Sequence, residues 1–159
     1  ALTFQADYCY EMPNNSCYTF KKFETLSNAV LRFDYTTGTN IVVFIENTPN
    51  FGSNLELKFK INKNDGWQEI SNLSISDKKF IAKRTYWEIH GDHEQNINWN
   101  NQWLGTVYSV NSTVKIPSSF YGVGSFWTTG SETKIEFNDG EPELIYSLAN
   151  FAQNNWQQP

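Results

Sequence analysis

The sequence predicts an all-β fold, an antiparallel β-sandwich of about nine strands forming a single domain over residues 1–159. Aromatic residues make up 16% of the chain and 19 residues are asparagine; aromatics fit pleated surfaces, and Asn competes with helical hydrogen bonding. Residues 55–61 alternate strictly between apolar and charged, the pattern of a strand buried on one face. Turn-forming residues separate most of the apolar segments, as in a sandwich.

The predicted strands follow one another along the chain. Residues 41–45 are apolar throughout and predict a strand buried on both faces. Asn64-Asp65-Gly66 and Asn138-Asp139-Gly140 each match a tight hairpin turn, in which Asp-Gly supplies positive φ. Further strands are predicted at 2–8, 18–23, 30–35, 80–89, 105–116, 120–127 and 134–137. Only the tail, residues 141–156, has the apolar spacing of a short helix, and its asparagines weaken that prediction.

Size and charge exclude several classes of protein. The chain of 159 residues carries a net charge of −5 with only 12 basic residues, so nucleic acid is not expected as a partner, since binding phosphates requires a basic surface. No apolar run approaches the ~18 residues that a membrane span requires.

The two cysteines, Cys9 and Cys17, flank a turn-forming segment that contains Pro and Asn-Asn. We expect them to form a disulfide, which favours a secreted or extracellular protein. Three N-x-S/T sequons, at Asn14, Asn72 and Asn111, are predicted glycosylation sites and fit the same location. No signal peptide is present, and we expect Ala1 to begin a mature or trimmed chain.

The most informative segment is 88–103, in which two tryptophans lie among side-chain amides. Flat apolar rings can stack on the C–H faces of a sugar while neutral amides bond its hydroxyls. We therefore predict a carbohydrate-binding loop whose partner is a polysaccharide or glycan. Its predicted residues are Trp99, Trp103, Asn98, Asn101 and Gln102, with Trp67 and Trp127 as further candidates. The alternative is that the rings belong to the core, which is the usual position of Trp.

Metal binding and catalysis have weaker signals. His90, Asp92, His93 and Glu94 are the only cluster of metal-ligand types. A turn of this kind is usually polar surface, so we predict no metal site there. We predict no cofactor, but a calcium site built from scattered oxygens stays open. Glu88, Asp92 and Glu94 are the acids that could serve a glycosidase, and no established catalytic motif is present.

Two sets of short segments resemble known families. Ile70-Ser71-Asn72-Leu73, residues 78–84 and Asn98-Trp99-Asn100-Asn101 resemble part of the family 21 starch-binding modules, and cover about thirty residues. That resemblance implies a β-sandwich in which Trp99 stacks on glucose; the family's later Tyr/Trp-Asp-Asn-Asn segment is missing here. Residues 43–53 resemble a βγ-crystallin hairpin, with 70–73 in the place of its later Ser-containing motif, but no second copy is evident.

Three functions follow from these observations. The first is a non-catalytic carbohydrate-binding module or lectin for a neutral glycan. The second is an extracellular structural or adhesive protein, crystallin-like and stabilised by calcium. The third is a small polysaccharide-active enzyme that uses carboxylates beside the tryptophan loop.

Overall fold

A computed structural model describes residues 2–6, 18–37, 40–92 and 94–150. Its named strands all pair in parallel and form three sheets. The fold is therefore a parallel β-solenoid of six coils, and the predicted antiparallel β-sandwich is wrong. The sandwich fold implied by the resemblance to family 21 starch-binding modules is wrong with it.

The described part of the chain contains twelve strands, one α-helix and one turn of 3-10 helix. The strands are β1 (Leu2–Gln5), β2 (Tyr18–Phe20), β3 (Val30–Asp34), β4 (Ile41–Ile45), β5 (Glu56–Lys60), β6 (Thr85–His90), β7 (Ile97–Asn98), β8 (Gln102–Val110), β9 (Val114–Ile116), β10 (Tyr121–Thr129), β11 (Ile135–Phe137) and β12 (Glu143–Tyr146). The 3-10 turn is Ile70–Asn72, and the helix α1 is Ile75–Ala82.

Each coil contributes one strand to a continuous sheet and one strand to the opposite face. The six even-numbered strands form the continuous sheet in the order β12-β10-β8-β6-β4-β2. The opposite face is divided into the sheets β1-β3-β5 and β7-β9-β11. Gly122 pairs with Trp103 one coil earlier and with Leu144 one coil later, so a coil takes roughly 20 residues in this half of the chain.

The predicted turns explain why the sandwich prediction failed. The turn at Asn64–Gly66 does reverse the chain, since Phe59 and Gln68 form an antiparallel bridge across it. The turn at Asn138–Gly140, however, joins β11 to β12, which belong to different sheets. Most connections lead the chain from one face of the solenoid to the other in this way. A strand therefore pairs with the strand about one coil away and not with its neighbour in sequence.

Two predictions of local structure are corrected. The strand predicted at 80–89 is present from Thr85 as β6, but its first residues, 80–82, belong to helix α1. The side chain of Ser74 accepts a hydrogen bond from the backbone N–H of Asp77 (3.1 Å) and caps this helix. In the tail, residues 143–146 form β12 rather than a helix, because they pair with β10. Residues 147–150 are not helical either, and residues 151–156 lie outside the described residues.

Aromatic rings fill the interior between the two faces. Phe33 stacks on Phe4 (ring centroids 5.4 Å apart) and on Phe59 (5.2 Å), so the three rings form a column along the first short sheet. Trp87 contacts this column and packs edge-on against Trp103 at 4.9 Å. Offset and edge-on ring pairs of this kind stabilise a core beyond simple area burial.

A pair of glycines allows two neighbouring coils to approach closely. Gly105 of β8 and Gly124 of β10 are paired and have φ of 138° and 153°. A Cβ on Gly124 would lie 1.9 Å from the carbonyl oxygen of Gly105. Both positions therefore require glycine.

Several sequence-based predictions fall outside the described residues: Cys9, Cys17, Asn14 and His93. The other two predicted sequon asparagines, Asn72 and Asn111, are exposed. In the described ranges, no helix has both the length and the apolar character that a membrane crossing requires.

Candidate functional site

Residues 97–103 place some side chains inside the solenoid and others on its surface. Ile97 and Trp99 point into the core, and Asn98 between them is exposed. The backbone is held in this extended form by two hydrogen bonds to the next coil, from Ile97 N to Thr113 O (2.8 Å) and from Trp99 N to Lys115 O (3.0 Å). One short segment therefore supplies both core and surface residues.

The two tryptophans predicted to stack on sugar are core residues. Trp99 is 3% exposed and Trp103 is 2% exposed, and their rings pack edge-on at 5.1 Å. Neither ring presents a face to solvent, so the predicted stacking surface is absent from this structure. The alternative interpretation, that both rings belong to the core, describes their position.

The predicted amides, in contrast, lie together on the surface. Asn98, Asn101 and Gln102 are exposed and line two adjoining depressions of about 480 and 550 Å³, which share Phe51 and Asn98. We call this surface the amide groove. Its defining residues are Asn50, Phe51, Asn54, Gln95, Asn96, Asn98, Asn101 and Gln102.

The opposite wall of the amide groove comes from the loop after β4. The loop is fixed to the preceding coil, because Asn50 N donates to Phe23 O (3.0 Å) and Thr25 N donates to Asn50 O (3.0 Å). The ring of Phe51, half-buried at the centre of the groove, packs edge-on against Trp99 at 4.9 Å. The buried tryptophans thus support the groove from below.

The amide groove is rich in neutral polar groups and poor in charge. Among the residues that the structure describes, those with charge in its lining are Glu24 and Glu56, one in each depression. No hydrogen bond joins the side-chain amides of Asn98, Asn101 or Gln102 to another residue that the structure describes. Buried Asn100, by contrast, donates from its Nδ2 to Gln102 O (3.1 Å) and shapes the turn.

Trp67 and Trp127 do not join this site. The Trp67 ring lies between two cations, with Lys60 Nζ 4.7 Å and Arg32 Cζ 5.3 Å from its centroid. Trp127 is 38% exposed on the outer face of the six-stranded sheet, whereas the groove lies elsewhere on the solenoid.

The candidate acids also lie apart from the tryptophan core. Glu88 is on the outer face of β6, where its carboxylate accepts from the Tyr86 hydroxyl (2.7 Å) and contacts His90 Nε2 (2.5 Å). Burial raises the pKa of Tyr86 above its usual value, and the adjacent Glu88 carboxylate raises that pKa further. Asp92 accepts from the backbone N–H of Glu94 (3.0 Å), as in a turn. These acids do not form a pair beside Trp99 or Trp103.

Metal binding has no support in the described residues. Over residues 2–6, 18–37, 40–92 and 94–150, no group of three or more His, Cys, Asp or Glu could hold a metal ion.

Sequence reasoning missed the wall formed by Asn50, Phe51 and Asn54. The available signal was a polar run directly after the fully apolar strand β4, since a turn that follows a buried strand comes to the surface. That this turn faces residues 95–102 depends on the stacking of coils, which no local pattern shows.

Comparison with known proteins does not extend this description. No protein-family model, curated protein or solved structure matches the chain.

Proposed function

We propose that this protein is a non-catalytic binding protein for a neutral glycan, which it holds in the amide groove. The observation that carries the proposal is the convergence of exposed amides from two separate loops around the half-buried ring of Phe51. An amide both donates and accepts hydrogen bonds, so it can satisfy either side of a sugar hydroxyl. An aromatic ring at the centre can cover an apolar C–H face.

The charge of the groove supports a neutral ligand. The described part of its lining contains no Lys or Arg, and the two charged residues there are both acidic. Glu24 is ion-paired with Lys22 (3.4 Å), and Glu56 is ion-paired with Lys58 (3.9 Å). A phosphate, sulfate or carboxylate would therefore find no unpaired cation among the described residues of the groove. The two adjoining depressions favour a chain of sugar units over a single ring, since each alone falls in the usual size range of a ligand site.

The proposal is tested by screening the purified chain against a glycan array and measuring the affinity of each neutral hit by calorimetry. The variant Asn98→Ala/Asn101→Ala should weaken binding roughly 5- to 150-fold, because each lost hydrogen bond is worth about 0.5–1.5 kcal/mol. The matched control is Asn72→Ala/Asn138→Ala, which removes two exposed amides outside the groove and should leave affinity unchanged.

Two results would overturn the proposal. The first is the absence of any neutral glycan hit at millimolar protein concentration. The second is equal weakening by the groove variant and its control, which would place the ligand elsewhere on the surface.

A further inference from the structure

The cations of this acidic protein are concentrated on one short segment. Four of the 12 basic residues lie between positions 78 and 84. Lys79, Lys83 and Arg84 line a groove of about 570 Å³ whose apolar wall includes Ile75 and Phe80. We call it the basic groove, and it is separate from the amide groove.

The Arg84 side chain is held in place before any partner arrives. Its guanidinium carbon lies 3.6 Å from the centroid of the Phe80 ring, and Nη1 donates to Phe80 O (3.0 Å). Within the described ranges, Lys79, Lys83 and Arg84 form no ion pair with a carboxylate. The helix dipole favours cations near the C-terminal end of a helix and could by itself explain why these residues are basic. It does not explain why the Arg84 guanidinium is fixed or why an apolar wall lies beside it.

A second charged surface, opposite in sign to the basic groove, lies in the turn that leads into β12. We call it the acidic turn. Asp139, Glu141 and Glu143 are all exposed. None of the three carboxylates is in an ion pair with a cation that the structure describes. The strand that follows is an edge of the six-stranded sheet, and its Tyr146 is 63% exposed. Within the described part of the chain, the basic groove and the acidic turn thus both lack ion-pair partners.

These two surfaces lie at the same end of the six-stranded sheet. Lys78 of α1 donates from Nζ to the Tyr121 hydroxyl (3.0 Å), at the start of β10. Tyr121 is the strand-pairing partner of Glu143 on β12. The helix that carries the basic groove and the strand that follows the acidic turn therefore both lie near the start of β10.

We propose that these two surfaces associate with a second copy of the chain, the basic groove of each copy docking the acidic turn of the other. A two-fold arrangement makes both contacts at once, because an isologous interface presents the same self-complementary surface on each subunit. The apolar residues Ile75 and Tyr146, which are 48% and 63% exposed, lie beside the two charged surfaces and would be covered together with them. This association is independent of glycan binding in the amide groove.

The experiment is sedimentation velocity of the full chain over a range of protein concentrations at low and high salt. We expect dimers at low salt and an at least tenfold weaker association at ~0.5 M salt, since exposed charges are screened over a few ångströms there. Lys79→Glu/Lys83→Glu should abolish dimers, and so should Glu141→Lys/Glu143→Lys. Combining the four substitutions should restore them, because the charges are exchanged and their complementarity is retained.

A matched control separates this contact from a general effect of net charge. Lys21→Glu/Lys63→Glu changes the charge by the same amount at two exposed lysines outside both surfaces and should leave dimers intact. A chain that stays monomeric at millimolar concentration and low salt would overturn the proposal. So would dimers that resist each charge reversal, or a four-fold variant that stays monomeric although it is folded by circular dichroism.

Discussion

Residues 97–103 contribute two layers to the molecule from one stretch of chain, one buried in the core and one exposed at the surface. The inward layer, Ile97, Trp99 and Trp103, is almost completely buried and contacts rings from other coils. The outward layer, Asn98, Asn101 and Gln102, is exposed and faces a groove. The inward residues determine where the outward residues lie. Mutations in the inward layer should therefore reduce stability, whereas mutations in the outward layer should reduce binding and leave stability nearly unchanged.

The largest effect is expected where the coils approach most closely. Gly124→Ala should cost about 4 kcal/mol or more of unfolding free energy, or prevent folding, because the new Cβ clashes with a backbone carbonyl at positive φ. Chemical denaturation measures the loss. Gly66→Ala is the matched control, since nothing lies within 4 Å of its Cβ, and a similar loss there would contradict the interpretation.

The next effect tests the inward layer directly. Trp103→Ala should cost about 3–4 kcal/mol, because a fully buried ring leaves a cavity among Phe33, Trp87 and Trp99. Trp127→Ala removes the same side chain from a position that is 38% exposed and should cost clearly less. Equal losses in thermal and urea unfolding would show that burial does not distinguish the two rings.

The pH dependence of the unfolding free energy distinguishes buried tyrosines from exposed ones. Burial raises the pKa of Tyr35 above its unperturbed value of 10.0, although its hydrogen bond to Thr85 and the Arg84 charge oppose the shift. Below pH 10 the Tyr35 hydroxyl is neutral in both the folded and the unfolded chain, so its ionisation does not change the unfolding free energy. Above pH 10 the unfolded chain loses the proton first, so stability should fall by up to about 1.4 kcal/mol per pH unit for each such tyrosine. Tyr35→Phe should reduce this slope in urea titrations at pH 9, 10 and 11; an unchanged slope would contradict the assignment.

The smallest effect compares two adjacent asparagines. Asn100→Ala should cost about 1 kcal/mol, because a buried amide loses its hydrogen bond to Gln102 O. Asn101→Ala should change stability by less than about 0.5 kcal/mol, because its side chain is exposed. Both unfolding free energies come from the same denaturation series. A larger loss at Asn101 than at Asn100 would reverse the assignment of layers.

Several features of the fold were readable from local patterns. The alternation in residues 55–61 and the apolar run at 41–45 correctly predicted strands at β5 and β4. The second pattern was also a signal for parallel pairing, since strands covered on both faces are typical of parallel sheets. A weak repeat was present as well: residues 104–110 read L-G-T-V-Y-S-V and residues 123–129 read V-G-S-F-W-T-T, in the same register one coil apart.

The predicted site residues separate into two sets for a related reason. The amides Asn98, Asn101 and Gln102 lie at the groove as surface residues, but Trp99 and Trp103 were assigned to the surface with them. Composition alone could not separate the two sets. The period-two alternation separates Asn98 from Trp99, and only the partner coils show which side of it is interior.

The sequence by itself determined that this chain is rich in strands, that its surface is acidic and that its amides cluster near residue 98. Only the tertiary structure decided that the strands pair in parallel and that Asn50 and Phe51 face Asn98 across a groove. The physical reason is the distance along the chain over which each preference acts. Strand propensity and alternation depend on neighbouring residues, whereas each strand's partner here lies about a coil away and is selected by packing rings and glycines between coils.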